Sequence, residues 1–509
     1  MYKSIYKQYF FLLASAVLSA WAFMDMNIFI ILFSWAPFIY VVLNEKNIKL
    51  IFFKGFVFGF IYGLCLFNWT QVSLKDYSTL DAFRFLVPFF LSIFYGFIYS
   101  FFAIVLNALN NINYKKKYLI IINNIAFAAS FVIIESVLSY LYQGIPFLNL
   151  RIGFVLGKSL YFSQLASIGG VSILTFIIIL TNVFIADLIK SKNKIDLIGA
   201  FFVVFFSITL GFVLFSTYEN ESNKSIKVSV VSGNINPKVS WSETTGNILA
   251  SNYFSICNEA TKNNPDFVLW PESVFPWVYE GNDDLIKKLL KINNNQNSNT
   301  IHVFGLNSKI NNSKNEIANS VLFINKENKK VATYYKNILL ECFEKPLFDK
   351  FQIPFAYSEK CTYAKTGKPN PVDSKFGKAG ILICNESIEE NFVNRQESNG
   401  ANFFFVIAND GWFKDTYISL HHFYIARILA AETRKDFAIS SNCGYNGFIK
   451  SSGEIVSMEK SENPLSISQK INDNKSQTIY CKNPFLFISI LILFISTNLI
   501  ITPKTNDYD

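Results

Sequence analysis

Long apolar segments separated by short polar connections fill the first part of the chain, and one more lies near its C-terminal end. A helix needs about 20 apolar residues, and about 17 at the least, to cross the hydrocarbon core of a bilayer. Segments that approach or meet that length are residues 9–23, 27–43, 51–68, 85–106, 118–141, 160–188, 197–217 and 484–502, so we expect eight membrane-spanning helices. Asp25-Met26-Asn27 is a poor signal-peptidase site, so the first segment is interpreted as a retained helix.

Residues 221–483 follow a different pattern, in which short apolar runs end in polar residues. Residues 225–232 alternate polar and apolar positions, which is typical of a half-buried strand. Further strands are predicted at 266–270, 379–384, 403–408 and 437–441, the last followed by a hairpin up to residue 453. Helices are predicted at 245–262 and 420–434, and the Asn- and Lys-rich stretch 290–316 is interpreted as a surface loop. Strands and helices that alternate in this way are typical of a layered α/β domain.

Composition follows the same division of the chain. Over the whole sequence 51% of residues are hydrophobic and mean hydropathy is +0.28, while only 16% are charged. Soluble domains average about a quarter charged residues. We therefore predict a seven-helix membrane domain over 1–220, a water-soluble domain over 221–483, and a C-terminal membrane helix with a short tail over 484–509.

Many of the lysines behind the net charge of +9 lie in short loops between the apolar segments. With the N-terminus inside the cell, eleven Lys fall in the cytoplasmic stretches and four Lys or Arg in the opposite loops. Positive residues favour the cytoplasmic side of a membrane. Seven crossings then put residue 218 onward outside the cytoplasm, and the last helix returns the tail. Because membrane orientation explains the basic charge, we expect no nucleic-acid partner.

Seven Cys and three His offer no recognisable metal site. The cysteines form no Cys-x-x-Cys pair, and three histidines are too few for a histidine-built zinc site. We expect every cysteine but Cys384 to be a buried packing residue. A disulfide stays open, with Cys342–Cys361 as one candidate, among Cys257, Cys342, Cys361, Cys443 and Cys481. The adjacent His421 and His422 are expected to face solvent or to pack on the following helix.

Three reactive side chains stand just past apolar strand runs, where the functional sites of open α/β sheets gather. They are Glu272, Lys336 and Cys384. A cysteine attacks as a thiolate, and a nearby carboxylate base with a lysine cation can supply that state. The lysine can also stabilise an oxyanion, together with the backbone N–H that follows the nucleophile. The sequence therefore predicts nucleophilic catalysis by Cys384.

Glu272, Lys336 and Cys384, in that order, resemble the catalytic set of the nitrilase, or carbon–nitrogen hydrolase, superfamily. The surrounding motifs narrow the resemblance to the apolipoprotein N-acyltransferase family, and it extends over nearly the whole chain. These motifs are Val231-Ser-Gly-Asn-Ile, Trp270-Pro-Glu-Ser, Tyr335-Lys-Asn, Ile383-Cys-Asn-Glu, Asn409-Asp-Gly-Trp-Phe, His422-Phe-Tyr-Ile-Ala-Arg and Gly144-Ile-Pro. The resemblance implies a polytopic helical membrane domain joined to a nitrilase-like αββα sandwich.

That family transfers an acyl chain from a phospholipid to the free α-amino group of a diacylglyceryl-cysteine at the N-terminus of an apolipoprotein. By this resemblance Glu272 is the general base, Cys384 holds the acyl group as a thioester, and Lys336 stabilises the oxyanion with the backbone N–H of Asn385. Two half-reactions imply ping-pong kinetics, with no metal or organic cofactor. The resemblance also implies a phospholipid donor, an apolipoprotein acceptor, and a monomer in the bacterial inner membrane with its catalytic domain in the periplasm.

Further residues match positions of the family. Glu344 and Glu386 stand where the family has supporting glutamates, and the sequence leaves open whether they serve catalysis or surface salt bridges. Positions that the family uses for substrate access or loop placement match Trp241, Asn319, Trp412 and Gly144. Two departures concern the loops: the family usually has Phe-Gly-Glu where this chain has Cys342-Phe343-Glu344, and an aromatic residue where this chain has Asn385. The lid over the nucleophile is therefore expected to differ.

Two other functions stay open at this point. A membrane-tethered nitrilase-type amidase would use the same three residues on a small amide, but it would have no need of seven helices before its domain. A lipid substrate does need them, because its acyl chain must reach the thiol without leaving the bilayer. A non-catalytic transporter or assembly factor would be expected to carry ionisable residues along a path, and the predicted helices hold little beyond Glu135 and Asp187.

Overall fold

The computed structural model describes residues 2–75, 83–110, 117–145, 148–219, 224–237, 239, 242–292, 299–311, 316–351, 362–363 and 367–501. Within them the chain forms a helical unit, of residues 1–142, 147–217 and 483–509, and an α/β unit, of residues 143–146 and 218–482. The segment 143–146 thus belongs to the α/β unit, although helical-unit residues precede and follow it in the sequence. The boundaries predicted at residues 220 and 483 stay a prediction.

Apolar helices make up the described part of the helical unit. They are α1 (Tyr2–Met24), α2 (Ile28–Ser34), α3 (Ala36–Leu43), α4 (Ile48–Leu66), α5 (Trp69–Leu74), α6 (Leu86–Asn110), α7 (Lys117–Leu141), α8 (Leu160–Gln164), α9 (Ala166–Ser191), α10 (Lys194–Ser216) and, near the C-terminus, α16 (Leu486–Ile501). Among the described residues six of these helices are long and apolar enough to cross a membrane, and two shorter apolar stretches lie at Ile28–Leu43 and Leu486–Thr497. The chain is a multi-pass membrane protein, and the count of eight crossings stays a prediction.

The second predicted segment is broken at Trp35, between α2 and α3. A proline stands in the first turn of α3, and proline cannot donate the backbone hydrogen bond that would continue α2. The N–H groups of Trp35 and Ala36 both donate to the side-chain oxygen of Asn182 on α9, each at 2.9 Å. The Asn182 amide in turn donates to the carbonyl of Ile31 at 2.9 Å. One buried asparagine therefore satisfies backbone groups at the break, which lipid could not do.

Three glycines at four-residue spacing bring α4 against α6. They are Gly55, Gly59 and Gly63, and a Cβ on Gly55 or Gly59 would lie 2.6 or 2.5 Å from a backbone carbonyl oxygen of α6. Small residues at this spacing allow the backbones of two membrane helices to touch. A larger side chain at these positions would force the two helices apart.

A buried ion pair fixes the segment that follows α7. Glu135 lies 3.4 Å from the Arg151 guanidinium and accepts the backbone N–H of Ile152 at 2.8 Å. The Thr175 hydroxyl on α9 donates to the same carboxylate at 2.7 Å. Glu135, which the sequence singles out as an ionisable residue inside a helix, therefore holds residues 151–152 against α7 and α9.

Two sheets form the centre of the α/β unit. The strands are β1 (Ser225–Ser232), β2 (Phe267–Trp270), β3 (Ile301–Asn311), β4 (Glu316–Asn325), β5 (Lys330–Tyr335), β6 (Thr362–Tyr363), β7 (Val372–Ser374), β8 (Gly377–Ile383), β9 (Phe403–Asn409), β10 (Asp436–Asn442), β11 (Tyr445–Ile449), β12 (Ile455–Lys460) and β13 (Leu465–Asn472). The first sheet has the order β13-β1-β2-β3-β4-β5, with β6 also paired to β4, and the second has the order β12-β11-β10-β9-β8-β7. The two sheets touch through β1, β2, β9 and β10.

Helices cover the outer face of each sheet. The helices of this unit are α11 (Glu243–Thr261), α12 (Asp284–Lys291), α13 (Glu390–Ser398), α14 (Ile418–Thr433) and α15 (Ile479–Lys482). Tyr253 and Cys257 of α11 pack with Trp270 and Phe304 of the first sheet in one buried cluster. On the second sheet, α13 contacts β8 and α14 contacts β10 and β11. The result is the αββα sandwich that the resemblance implies.

Most of the predicted elements of this unit are confirmed, because the predicted strands correspond to β1, β2, β8, β9 and β10 and the predicted helices to α11 and α14. The interpretation of residues 290–316 as a surface loop is wrong for Ile301–Asn311. Strand β3 runs through this stretch in the middle of the first sheet, and Val303 and Phe304 are fully buried. The sequence did not predict this strand because its few apolar residues are surrounded by many Asn and Lys residues, which dominate the composition of the stretch.

Asp436 at the start of β10 ties the two sheets together. One carboxylate oxygen accepts the N–H of Ser451 at 2.7 Å, in the turn between β11 and β12, and the other accepts the N–H of Asn472 at 2.8 Å, at the end of β13. The side chain is almost fully buried. Asp436 therefore satisfies buried backbone donors from both sheets.

We expect Asp436→Ala to destabilise the protein by about 2 kcal/mol, because two buried N–H groups lose their acceptor. For a domain of this size that is an apparent melting temperature lower by about 4–8 °C, measurable by tryptophan fluorescence on the full chain in detergent. Asp373→Ala, on the exposed edge strand β7, is the matched control and should change little. Equal melting temperatures for the two variants would contradict the assigned role.

Candidate active site

The three predicted catalytic residues converge in the α/β unit from both sheets. Glu272 follows β2 and Lys336 follows β5 in the first sheet, while Cys384 follows β8 in the second. The backbone N–H of Glu272 donates to the carbonyl of Ala408 at 3.3 Å, which joins the end of β2 to β9 of the other sheet. The segment of Glu272 lies so close to β3 that a Cβ on Gly305 would stand 2.6 Å from the carbonyl oxygen of Pro271. A glycine is therefore required beside the general base.

Lys336 is buried between two carboxylates. Its backbone N–H donates to the carbonyl of Asn319 at 2.9 Å and extends the pairing of β5 with β4. The ammonium Nζ lies 3.5 Å from Glu272 Oε1 and 3.0 Å from Glu344 Oε2, and the side chain is only 2% exposed. Burial disfavours the charged lysine, but Glu344 and Glu272 outweigh it and raise the pKa of the ammonium. Lys336 therefore carries a permanent positive charge.

Cys384 begins the 3-10 turn Cys384–Ile388 with a left-handed backbone, at φ +49°. A non-glycine residue in this region is uncommon and turns the side chain sharply away from the strand direction. Burial first, and then Glu272, raise the pKa of the Cys384 thiol well above its usual range, against the opposite effect of Lys336. The raised pKa favours the protonated thiol in Cys384, the predicted nucleophile.

Glu386 fixes the turn that carries the nucleophile. One of its oxygens accepts the N–H of Ile383 at 2.9 Å and the Tyr334 hydroxyl at 3.0 Å. The other accepts the N–H groups of Asn337 at 2.6 Å and Ile338 at 3.2 Å, just after Lys336. Burial raises the pKa of Glu386 to about 7, against the effect of the backbone donors. Glu386 thus links the loop of Cys384 to the loop of Lys336 and is not a surface salt bridge.

Asn319 and Glu344 position the base and the lysine. The side-chain amide of Asn319 donates to Glu272 Oε1 at 2.7 Å and to Glu344 Oε1 at 2.8 Å. Glu344 also accepts the N–H of Leu340 at 2.7 Å, which links the two ends of the segment Leu340–Glu344. Burial raises the pKa of Glu272, while Lys336 and the Asn319 hydrogen bond lower it. Both residues contact the predicted catalytic group directly.

Asn385 and Gly144 hold neighbouring loops. The buried Asn385 amide donates to the carbonyl of Ile338 at 3.1 Å, so this residue anchors the loop after Lys336 from the position where the family has an aromatic residue. Gly144, at φ +83°, accepts the N–H of Glu341 at 3.0 Å and donates its own N–H to Glu389 at 3.3 Å. Its position beside the segments of Glu344 and Glu386 indicates support of the loops.

Of the remaining predicted residues, only Trp412 lies within the described part of the chain. Trp412 lies partly exposed in the 3-10 turn Asp410–Phe413 after β9. Trp241 and Cys361 lie outside the described residues, and Cys342, the other half of the candidate disulfide, is a free thiol. The six described cysteines are free thiols. No cluster of three or more His, Cys, Asp and Glu side chains suited to a metal ion occurs in the described part of the chain.

Sequence reasoning missed one functional candidate, the pair Asp410–His422. The Asp410 carboxylate lies 2.8 Å from Nδ1 of His422, whose side chain is only 14% exposed. The expectation that His422 faces solvent or merely packs on a helix is therefore wrong. The signal was present, since both residues belong to motifs of the resemblance, but nothing in the sequence pairs two positions twelve residues apart.

Comparison with known proteins identifies the class. A model of the apolipoprotein N-acyltransferase N-terminal domain matches residues 15–184, and a carbon-nitrogen hydrolase model matches residues 227–459. Among solved structures, an amidase from Nesterenkonia sp. AN1 is 12% identical, covers 52% of this chain and 96% of its own, and has a TM-score of 0.38. That similarity is too distant to carry an argument. The two family matches define a membrane protein with a carbon–nitrogen hydrolase domain.

Curated relatives extend over almost the whole chain. The apolipoprotein N-acyltransferase of Coxiella burnetii is 23% identical over 505 residues, which cover 95% of this chain and 98% of that protein. The apolipoprotein N-acyltransferase of Rickettsia prowazekii is 27% identical over 478 residues, 89% of each chain. With both family matches, these relatives show that the chain belongs to the apolipoprotein N-acyltransferase family, and it is an acyltransferase.

We expect Asn319→Ala to lower kcat about 10- to 100-fold, the equivalent of about 1.5–3 kcal/mol for hydrogen bonds to charged groups. Because the Asn319 hydrogen bond lowers the pKa of Glu272, its loss should raise that pKa and move the acid limb of the pH–rate profile to higher pH. Asn325→Ala, at the other end of β4, should leave the profile unchanged. An unshifted acid limb in Asn319→Ala would rule out the link to Glu272.

Proposed function

We propose that this protein transfers an acyl chain from a membrane phospholipid to the α-amino group of an N-terminal diacylglyceryl-cysteine of apolipoproteins, through a thioester on Cys384. The observation that carries the proposal is the buried ion pair of Lys336 and Glu272, 3.5 Å apart, with the Cys384 thiol under the electrostatic influence of both. Such a group combines a base, a nucleophile and an oxyanion stabiliser. Apolar helices in the same chain suit a lipid substrate.

In the first half-reaction Glu272 takes the thiol proton while the sulfur of Cys384 attacks the ester carbonyl carbon of the phospholipid. The carbonyl oxygen becomes an oxyanion, which the ammonium of Lys336 and the backbone N–H of Asn385 stabilise. The carbon–oxygen bond then breaks, and Glu272 returns its proton to the leaving alcohol oxygen. A lysophospholipid departs, the acyl group stays on sulfur, and no net proton is released.

In the second half-reaction the free amine of the acceptor attacks the thioester carbon. Glu272 takes a proton from the attacking nitrogen and passes it to the sulfur as the carbon–sulfur bond breaks. The products are an amide and the Cys384 thiol. Water has to be kept from the thioester during the interval between the two lipids, and the burial of Glu272, Lys336 and Asn319 around the thiol supports such protection.

The family acts on lipids and lipoproteins, and we further propose that this chain acts as a monomer in the inner membrane with its α/β unit in the periplasm. The three catalytic residues come from one chain, which supports action as a monomer. The lysine distribution supports a cytoplasmic N-terminus, an α/β unit in the periplasm and an inner-membrane location. A small-amide hydrolase would use the same three residues, so the experiment must separate the two activities.

Incubation of the full chain with a phospholipid that carries a labelled acyl chain should label Cys384, and hydroxylamine should release the label, because it cleaves thioesters. Cys384→Ser should stay unlabelled by this criterion, whereas Cys342→Ser should label like the wild type, since its thiol is not part of the catalytic group. Addition of a diacylglyceryl-cysteine peptide should move the label to the peptide amine. Turnover of a small amide with no acyl-enzyme would instead favour the amidase.

The proposed orientation predicts different accessibility for two introduced thiols. The exposed Asp284 lies in the α/β unit and the exposed Lys46 lies in a connection of the helical unit predicted to be cytoplasmic. A membrane-impermeant maleimide added to cells with a permeabilised outer membrane should label Asp284→Cys and not Lys46→Cys. Lysis of the cells should make both react. The reverse pattern would invert the orientation.

A further inference from the structure

The pair Asp410–His422 stands at the strand end that joins the base to the nucleophile. Asp410 starts the turn directly after β9, and His422 lies on the first turns of α14. β9 runs parallel to β8 with Ile407 opposite Ile383, the residue before Cys384. The next residue on β9, Ala408, accepts the backbone N–H of Glu272. Asp410 therefore directly follows the strand, β9, that hydrogen-bonds to the backbone of Glu272 on one side and to the strand of Cys384 on the other.

The pair is also electrostatically coupled to the catalytic group. Asp410 raises the pKa of the Cys384 thiol, after burial, Glu272 and the opposing Lys336. Burial lowers the pKa of His422, but Asp410 and Glu272 outweigh it, and the pKa of the imidazole is raised. α14 contacts β10, β11, α13 and the two turns after β8 and β9, and the charged groups that act on His422 are Asp410 and Glu272.

Proton balance shows what this pair can do. An α-amino group has a pKa of about 7.7–8.0, so the acceptor is largely an ammonium at neutral pH. Conversion of an ammonium and a thioester to an amide and a thiol releases two protons from nitrogen and returns one to sulfur. Glu272 can carry only one proton at a time. When the acceptor enters as an ammonium, one further proton must therefore leave the site in the second half-reaction, whereas none leaves in the first.

The other imidazoles of the chain are held elsewhere. Nδ1 of His302 accepts the indole N–H of Trp270 at 3.1 Å, and the ring stacks on aromatic side chains. His421 packs edge-on against the ring of Tyr417, with centroids 5.0 Å apart. His422, by contrast, has Glu272 among its charged neighbours.

We propose that His422, oriented by Asp410, is a positioning residue that accepts, through Glu272, the extra proton of the acceptor ammonium. With Nδ1–H donating to Asp410, the neutral ring keeps Nε2 as its free acceptor. The ammonium gives its first proton to Glu272, and Glu272 passes it to Nε2 of His422. The amine then attacks, Glu272 takes the second proton and delivers it to sulfur, and the imidazolium releases its proton to solvent.

The test, which rests on the proposed function, measures the two half-reactions separately in the full chain. Acylation is followed with labelled phospholipid alone, and transfer is followed by adding a diacylglyceryl-cysteine peptide, from about pH 6 to pH 9, on both sides of the α-amino pKa. His422→Gln should slow transfer about 10- to 100-fold at pH values between the raised pKa of the imidazole and the α-amino pKa, where the ring is neutral and the acceptor is still an ammonium; this is within the range of general-base effects. Below the pKa of His422 the wild type should lose this advantage, because its ring is already protonated. The deficit should shrink toward the alkaline end, where the amine is already neutral, while acylation changes within about threefold.

Asp410→Asn should show the same pH-dependent deficit in transfer, because it removes the carboxylate that fixes the ring. His421→Gln, the neighbouring buried histidine, is the matched control, and its ratio of transfer to acylation should equal that of the wild type. Equal loss of acylation and transfer at every pH in both test variants would show that the pair is merely structural. A ratio of transfer to acylation in His422→Gln equal to that of the wild type would also overturn the proposal. Absence of an acyl group on Cys384 in the wild type would instead refute the proposed function itself.

Discussion

The site of the α/β unit depends on one ammonium buried between two carboxylates. Lys336 is 2% exposed, 3.5 Å from Glu272 and 3.0 Å from Glu344. An unpaired charge at this depth would cost several kcal/mol, so the lysine requires its partners. Two carboxyl groups therefore face this single cation. A thiolate would add a further negative charge, which explains why burial and Glu272 together hold the Cys384 thiol in its protonated form.

That arrangement exists only because the two sheets close on each other. The predicted base, Glu272, and Lys336 follow strands of the first sheet, and the predicted nucleophile, Cys384, follows a strand of the second. The hydrogen bond from Glu272 to Ala408 joins the two sheets. Glu386 binds the loop after Lys336 to the turn of Cys384 with acceptors for three backbone donors, and Asn319 spans Glu272 and Glu344. These buried polar bonds keep catalytic atoms in place on segments that are not themselves regular strands.

How far the sequence predicts this molecule depends on how local each signal is. Glu272, Lys336 and Cys384 could be predicted because each lies within a short sequence motif just after an apolar strand run. The burial of Glu386 could not be predicted, because its carboxylate accepts backbone N–H groups from residues about fifty positions earlier in the chain. The pairing of Asp410 with His422 and the break at Trp35, held by Asn182, likewise depend on contacts between distant segments. Strand β3 could not be predicted either, because its short apolar run Ile301–Leu306 lies within the Asn- and Lys-rich stretch 290–316.

Charge conservation links the resting state to the proposed chemistry. When the thiol proton moves to Glu272 and the sulfur attacks, the negative charge leaves the carboxylate and appears on the substrate oxygen. Besides the Glu344 carboxylate, Lys336 faces one anion before the step and one after it, so the net charge of the buried group does not change. Little reorganisation of the surroundings is then needed, which is the condition under which preformed dipoles and charges lower a barrier most. Only the arrival of a cationic amine disturbs this balance, and the excess proton it brings must find a group outside the catalytic three.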